Sequence, residues 1–122
     1  MLHAAPIVLL EPQGYLEMLG LLAAARLVLT DSGGIQEETT ALGVPCLTMR
    51  ENTERPVTVT HGTNTLIGRD CARARACVDE ILRTGGKRGC VPELWDGHAA
   101  ERIAAHLQAW LAAHAGALQR RS

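Results

Sequence analysis

The chain has 122 residues, 12 Lys and Arg against 13 Asp and Glu, and a formal net charge of -1. A hydrophobic fraction of 47% excludes a disordered chain, and the balanced charge gives no footprint for nucleic acid or an anionic membrane. Aromatic residues make up 2%, too few for a stacking platform under single-stranded nucleic acid, and Phe is absent, so the core is left to Leu, Val, Ile and Ala.

Ile7-Val8-Leu9-Leu10 is a short continuous apolar run, which predicts a strand buried on both faces. No Lys or Arg precedes it and no small-residue cleavage site follows, so it is not expected to be a signal peptide. Glu11 to Gly14 breaks the run. Tyr15 to Arg26 predicts a helix, with Leu16, Leu19, Leu22 and Ala23 at helical spacing. Leu27 to Thr30 predicts a second strand. Ile35 to Leu42 predicts a helix that ends at Gly43, where a left-handed cap is wanted.

Val44 to Met49 predicts a third strand with Pro45 at its start, where a missing N–H matters least. Arg50 to Arg55 is polar loop, and Pro56 suits the first position of a short helix ending at Gly62. Thr65 to Gly68 predicts a fourth strand. Cys71 to Arg83 predicts a helix whose stripe is Cys77, Val78, Ile81 and Leu82. Gly85-Gly86 closes this helix, and Lys87 to Gly97 is irregular. Ala99 to Ala115 predicts a long helix with Ile103, Leu107, Trp110 and Leu111 on one face, and Gln119 to Ser122 is a polar tail. Strands of buried type alternating with helices imply one α/β domain with a Rossmann-like parallel sheet. In such sheets ligands bind beyond the carboxyl ends of the strands. No run reaches the ~20 apolar residues that span a membrane.

The sharpest feature is Thr30-Asp31-Ser32-Gly33-Gly34-Ile35-Gln36-Glu37-Glu38. A strand runs through two glycines into a helix, whose first N–H groups and positive dipole end suit an anion, typically phosphate. Ser32 adds a hydroxyl. A tight turn with no ligand would have the same residues. The pattern is neither a dinucleotide fingerprint nor a P-loop. Glu37 and Glu38 at the helix start suit the dipole, and one of them could instead accept hydrogen bonds from a ribose diol. Arg55, on the ligand edge, offers a forked donor for a diphosphate; Arg50 is expected to be solvated or salt-bridged.

The remaining candidates are bland. Cys46, Cys71, Cys77 and Cys90 form no C-x-x-C pair and lie at no zinc-finger spacing from a histidine, so reduced structural thiols are expected. His98, His106 and His114 recur along the last helix as a solvated face; His61 falls at a helix end and His3 near the terminus. No metal and no cofactor is expected.

Taken together, Glu11-Pro12-Gln13-Gly14-Tyr15-Leu16, Thr30 to Glu38, Leu42-Gly43-Val44-Pro45, Thr53-Glu54-Arg55-Pro56, Gly62-Thr63 and Trp95 to Ile103 occur in order with close spacing. The chain thereby resembles the non-hydrolysing UDP-N-acetylglucosamine 2-epimerases; hydrolysing relatives usually lack the Glu-Arg-Pro of residues 54–56. The resemblance implies the C-terminal portion of a GT-B fold, two Rossmann-like domains facing a cleft, with residues 1–122 a partial UDP-binding domain and the helix at about 98–115 crossing back to the other domain. It implies that Ser32, Gly33 and Gly34 hold the diphosphate of UDP, that Arg55 faces it, and that Glu38 takes the ribose hydroxyls. The uracil would lie near Tyr15 to Leu19, where many members have an aromatic residue at the position of Met18; here a thioether takes that place. The acid and base groups of the family would lie mainly in the missing N-terminal domain and near the domain junction, with no counterpart here. A UDP-sugar substrate, a homo-oligomer at full length, a cytoplasmic location and a role in cell-envelope polysaccharide synthesis are implied likewise. The competing readings are the nucleotide half of a GT-B glycosyltransferase and a non-catalytic UDP-binding module.

Overall fold

The computed structural model describes residues 7–118, with side chains through residue 115. His3 and the tail from Gln119 lie outside the described residues. Eight elements follow in order: α1 (Tyr15–Ala24), β1 (Val28–Thr30), α2 (Gly33–Leu42), β2 (Cys46–Thr48), α3 (Pro56–Thr60), β3 (Asn64–Leu66), α4 (Cys71–Thr84) and α5 (Ala99–Leu118). The chain divides into two compact units, one ending at Cys90 and one beginning at Val91.

In the first unit three parallel strands lie in the order β1-β2-β3. Val28 pairs with Cys46 and Cys46 with Asn64, so each strand advances one place along the sheet through an intervening helix. This is the expected α/β arrangement of strand, helix and parallel strand. β2, in the middle, is wholly buried. Its alternation separates two unlike layers. Leu47 faces an apolar layer with Ile67 and with Ile81 of α4, against which Leu27, Ala74, Cys77 and Val78 pack. Cys46 and Thr48 face the opposite layer, where Gln36, Thr39 and Thr40 of α2, Thr58 of α3 and Asn64 of β3 are all buried. Burial pushes the Cys46 thiol pKa up, against hydrogen bonds from Thr39 and Thr48 that pull it down.

Several expectations need correcting. Ile7 to Leu10 form no strand and are exposed throughout, Ile7 by 90%. A parallel strand needs a neighbour for its N–H and C=O groups, and no described strand pairs with this run. β1 is an edge strand and Leu29 is left exposed, rather than buried on both faces. On α1 only Leu22 is buried, so Leu16 and Ala23 do not join a stripe. On α4, Leu82 turns outward while Ile81 turns in.

Other local readings hold. Gly43 ends α2 with φ of 72°, and Gly85 ends α4 with φ of 87°, both in the left-handed region that favours glycine. Pro56 opens α3 and His61 closes it. Gly62 is fixed by space: a Cβ there would stand 2.3 Å from Thr40 Oγ1 and 2.6 Å from the Thr58 carbonyl oxygen. In the second unit, Asp96 accepts from the His98 N–H and pairs with Arg102, which holds its carboxyl below the usual range. His98, His106 and His114 are all exposed on or beside α5, with His114 stacked on Trp110 at a ring separation of 4.4 Å. No described helix is long and apolar enough to cross a membrane.

Two outcomes are expected. Gly62→Ala forces a backbone or Thr40 shift and lowers stability by about 1–3 kcal/mol, read as a drop in urea midpoint. Ile103, Leu107, Trp110 and Leu111 are each about half exposed along α5. Apolar stripes of this kind promote self-association. Sedimentation velocity should therefore show a mass that rises with concentration, and Leu107→Glu should suppress the rise.

Candidate functional site

The carboxyl ends of β1 and β2 converge on the start of α2. Helix α2 begins at Gly33, so both glycines lie inside its first turn. That corrects the expected start at Ile35, and it moves Glu37 and Glu38 into the second turn, beyond the strongest reach of the dipole. Neither glycine has a positive φ. No atom beyond the local chain lies within 4 Å of a Cβ built at Gly33 or Gly34. Within this chain, then, neither backbone conformation nor packing demands glycine there. The absence of side chains leaves the first amides open to approach.

These amides are also uncapped. Ser32 occupies the N-cap position, yet its side chain accepts no cap hydrogen bond, and its own N–H donates to Thr30 Oγ1 at 3.1 Å. Helix α4 shows the contrast: Asp70 accepts from the N–H groups of Ala72 and Arg73 at 2.8 and 3.0 Å. One helix start is satisfied by the chain's own carboxylate, while the other keeps its donors free for an outside acceptor.

Arg55 is brought to this helix from the loop after β2. Its Nε lies 2.9 Å from Glu37 Oε1, and both side chains are about 40–45% exposed. Arg50 pairs with Glu54 at 3.0 Å, as expected of a strand-end Arg. That guanidinium helps hold the Glu54 carboxyl below its usual range, after the contribution of a backbone hydrogen bond. Glu38, half-buried, makes no hydrogen bond or ion pair among the described residues. The structure therefore gathers Ser32, Gly33, Gly34 and Arg55 at one place, with Glu38 one position beyond Arg55's partner. Met18 stands apart on α1, 37% exposed, on a helix that packs against α2.

Comparison with known proteins identifies the family. A family model described as UDP-N-acetylglucosamine 2-epimerase matches residues 1–108. The chain belongs to this family. It is 53% identical over 81 residues to the UDP-N-acetylglucosamine 2-epimerase of Salmonella typhimurium, covering 66% of this chain and 21% of that protein. It is 46% identical over 97 residues to the enzyme of the same name from Methanocaldococcus jannaschii, covering 80% of this chain and 26% of the relative. The crystal structure of that enzyme in complex with UDP-GlcNAc and UDP superposes with a TM-score of 0.69 at 43% identity, over 81% of this chain and 27% of the other. The chain thus spans about a quarter of the length of these relatives. It is an α/β chain with a parallel sheet, corresponding to the C-terminal portion of the GT-B fold of the family.

The start of α2 and the loop that carries Arg55 are joined by a network that apolar periodicity does not reveal. Gln36, wholly buried, donates to the Ser32 carbonyl at 3.2 Å and accepts from Thr53 Oγ1 at 2.7 Å and Asn64 Nδ2 at 3.0 Å. Asn64 also donates to Thr58 and accepts from Thr48. The available signal was a polar stripe: Gln36, Thr39 and Thr40 recur at i, i+3, i+4 on one helix, the spacing of a buried face. Among the described residues no group of three His, Cys, Asp or Glu is placed to hold a metal ion. Of the cysteines, Cys46 is buried, Cys77 half-buried, and Cys71 and Cys90 exposed, all as free thiols.

Proposed function

We propose that this chain is the UDP-holding part of a UDP-N-acetylglucosamine 2-epimerase, which interconverts UDP-GlcNAc and UDP-ManNAc. The observation that carries this reading is the start of α2, open, uncapped and bordered by an arginine. A diphosphate is the matching ligand. It takes several N–H donors at once, and its charge suits both the helix dipole and a guanidinium. Ser32, Gly33 and Gly34 supply the donors and Arg55 the charge. Glu38, with a free carboxylate, accepts from the ribose hydroxyls. Met18 offers the base a polarisable surface.

The same arrangement serves chemistry as well as binding. Inversion at C2 in this family resembles elimination of UDP followed by its re-addition. Charge then develops on the departing diphosphate, and donors already in position stabilise it without reorganising. In the absence of ligand, Glu37 neutralises Arg55. An exposed pair of this kind is worth at most ~1 kcal/mol, so a diphosphate can draw the guanidinium away. On this reading the groups that move the C2 proton lie mainly in the family's N-terminal domain and near the domain junction, with no counterpart among these residues. A cytoplasmic location, cell-envelope polysaccharide synthesis and a homo-oligomer at full length go with this reading.

Two measurements test it. Calorimetric titration of the 122-residue chain with UDP should show weak binding that falls by about tenfold or more in Arg55→Ala and in Ser32→Ala combined with Glu38→Ala. UDP binding no better than inorganic phosphate would remove the base and ribose assignments. The chain alone should release no UDP-ManNAc from UDP-GlcNAc, and turnover by the purified chain would show that it holds acid and base groups of its own.

A further inference from the structure

We propose that Gln36 is a positioning residue that sets the place of Arg55. The inference rests on the diphosphate reading of the α2 start and deepens it.

The argument is one of hydrogen-bond accounting around a single residue. The backbone of Arg55 is held on both sides. Its N–H donates to Thr53 Oγ1 at 2.9 Å, and its carbonyl accepts from Thr58 Oγ1 at 2.7 Å. Both hydroxyls lead back to the same amide. Thr53 donates its proton to Gln36 Oε1, while Thr58 accepts from Asn64 Nδ2, which also donates to Gln36 Oε1. Gln36 Nε2 meanwhile donates to the Ser32 carbonyl, at the N-cap of α2. One side chain therefore ties the helix start to both flanks of the arginine.

The chemistry needs an amide at this position. The oxygen of Gln36 receives two donors and its nitrogen supplies one, so a carboxylate loses the link to Ser32 and an apolar side chain loses all three. Gln36, Asn64 and Thr58 are each wholly buried, so unpaired groups here have no water to turn to. The guanidinium itself is surface-exposed and would otherwise sample many rotamers. What fixes its reach is the position of its backbone, and that position is set from below.

The test uses Gln36→Met, together with Thr53→Val and Thr53→Ser, in the full 122-residue chain. Thr53→Val severs the Gln36 arm from the half-exposed side, so its UDP binding, which should also weaken about tenfold and less than additively with Arg55→Ala, keeps the proposal open to test if a Gln36 variant fails to fold. Two readouts are taken. First, without ligand, exchange of the Arg55 amide proton should accelerate by more than about tenfold in Gln36→Met, relative to the Val28 amide bonded to Pro45 in the sheet, with Thr53→Val, which removes that proton's own acceptor, marking full loss of protection. Thr53→Ser, which keeps the hydroxyl, should restore protection. Second, UDP binding should weaken about tenfold in Gln36→Met, and adding Arg55→Ala to that variant should cost less than about twofold more. A destabilised but uncoupled variant would change the Arg55 and Val28 amides alike and give additive binding losses. Unchanged Arg55 exchange, or full additivity, overturns the proposal while leaving the diphosphate site standing. If the wild-type chain binds no UDP, the diphosphate reading fails, and the exchange measurement alone decides whether Gln36 holds the loop.

Discussion

The buried hydrogen bonds centred on Gln36 and Asn64 are the constraint on which the rest of this small domain depends. The half of the sheet that faces α2 and α3 is packed with Thr, Asn and Gln side chains rather than aliphatic ones. Such a layer gains little from the hydrophobic effect, and each unpaired polar atom in it costs about 1–3 kcal/mol. It is stable only when nearly every donor meets an acceptor. Among the described residues that condition is almost met, the exception being Thr40 Oγ1. A layer with directional bonds also admits fewer arrangements than an aliphatic one. The helix start, the loop after β2 and the end of β3 therefore share one geometry.

That geometry sits beside a helix end left deliberately incomplete. α4 satisfies its own first amides with Asp70, and α2, in the same chain and with the same need, does not. Ser is as good an N-cap residue as Asp, yet the Ser32 side chain makes no cap bond. Two glycines at the next positions give up helix propensity, about 1 kcal/mol each relative to Ala. Both choices weaken the helix locally and both keep the amides accessible. Strain of this sort is tolerated where the surroundings fix the structure independently, and here the Gln36 link to Ser32 does so from the second layer.

The parts of this design that the sequence discloses are those with strong local grammar. Gly43 and Gly85 mark helix ends because only a left-handed residue closes those turns. The strand that carries β2 and the strand-to-helix passage at residues 30–34 are likewise visible, as is the placement of Arg55 in the loop after β2. The start of α2 was harder to read, because glycine is a poor helix former and Gly33-Gly34 suggests a turn rather than a first turn of helix. Arg55 had a legible position but not a legible partner, since Glu37 and Arg55 are brought together only by the fold. The network beneath was hidden for a different reason. Apolar periodicity locates buried faces, and this buried face is polar.

Ile7 to Leu10 makes the same point from the opposite direction. Its composition is that of an interior strand, yet it lies exposed. In the doubly wound order 3-2-1-4-5-6, the third strand stands three places from the fourth, with two strands between them. If β1, β2 and β3 are the fourth, fifth and sixth strands, a run that leads through α1 into β1 is the third, and it has no pairing position beside β1 unless two further strands stand between them. The chain spans about a quarter of its relatives' length, and the strands it does describe advance in one direction only. Among the described residues, the apolar run and the edge at Leu29 are thus alike in having no strand to meet. The uncapped start of α2 depends on neither of them, because its supports come from β2, β3 and the loop between.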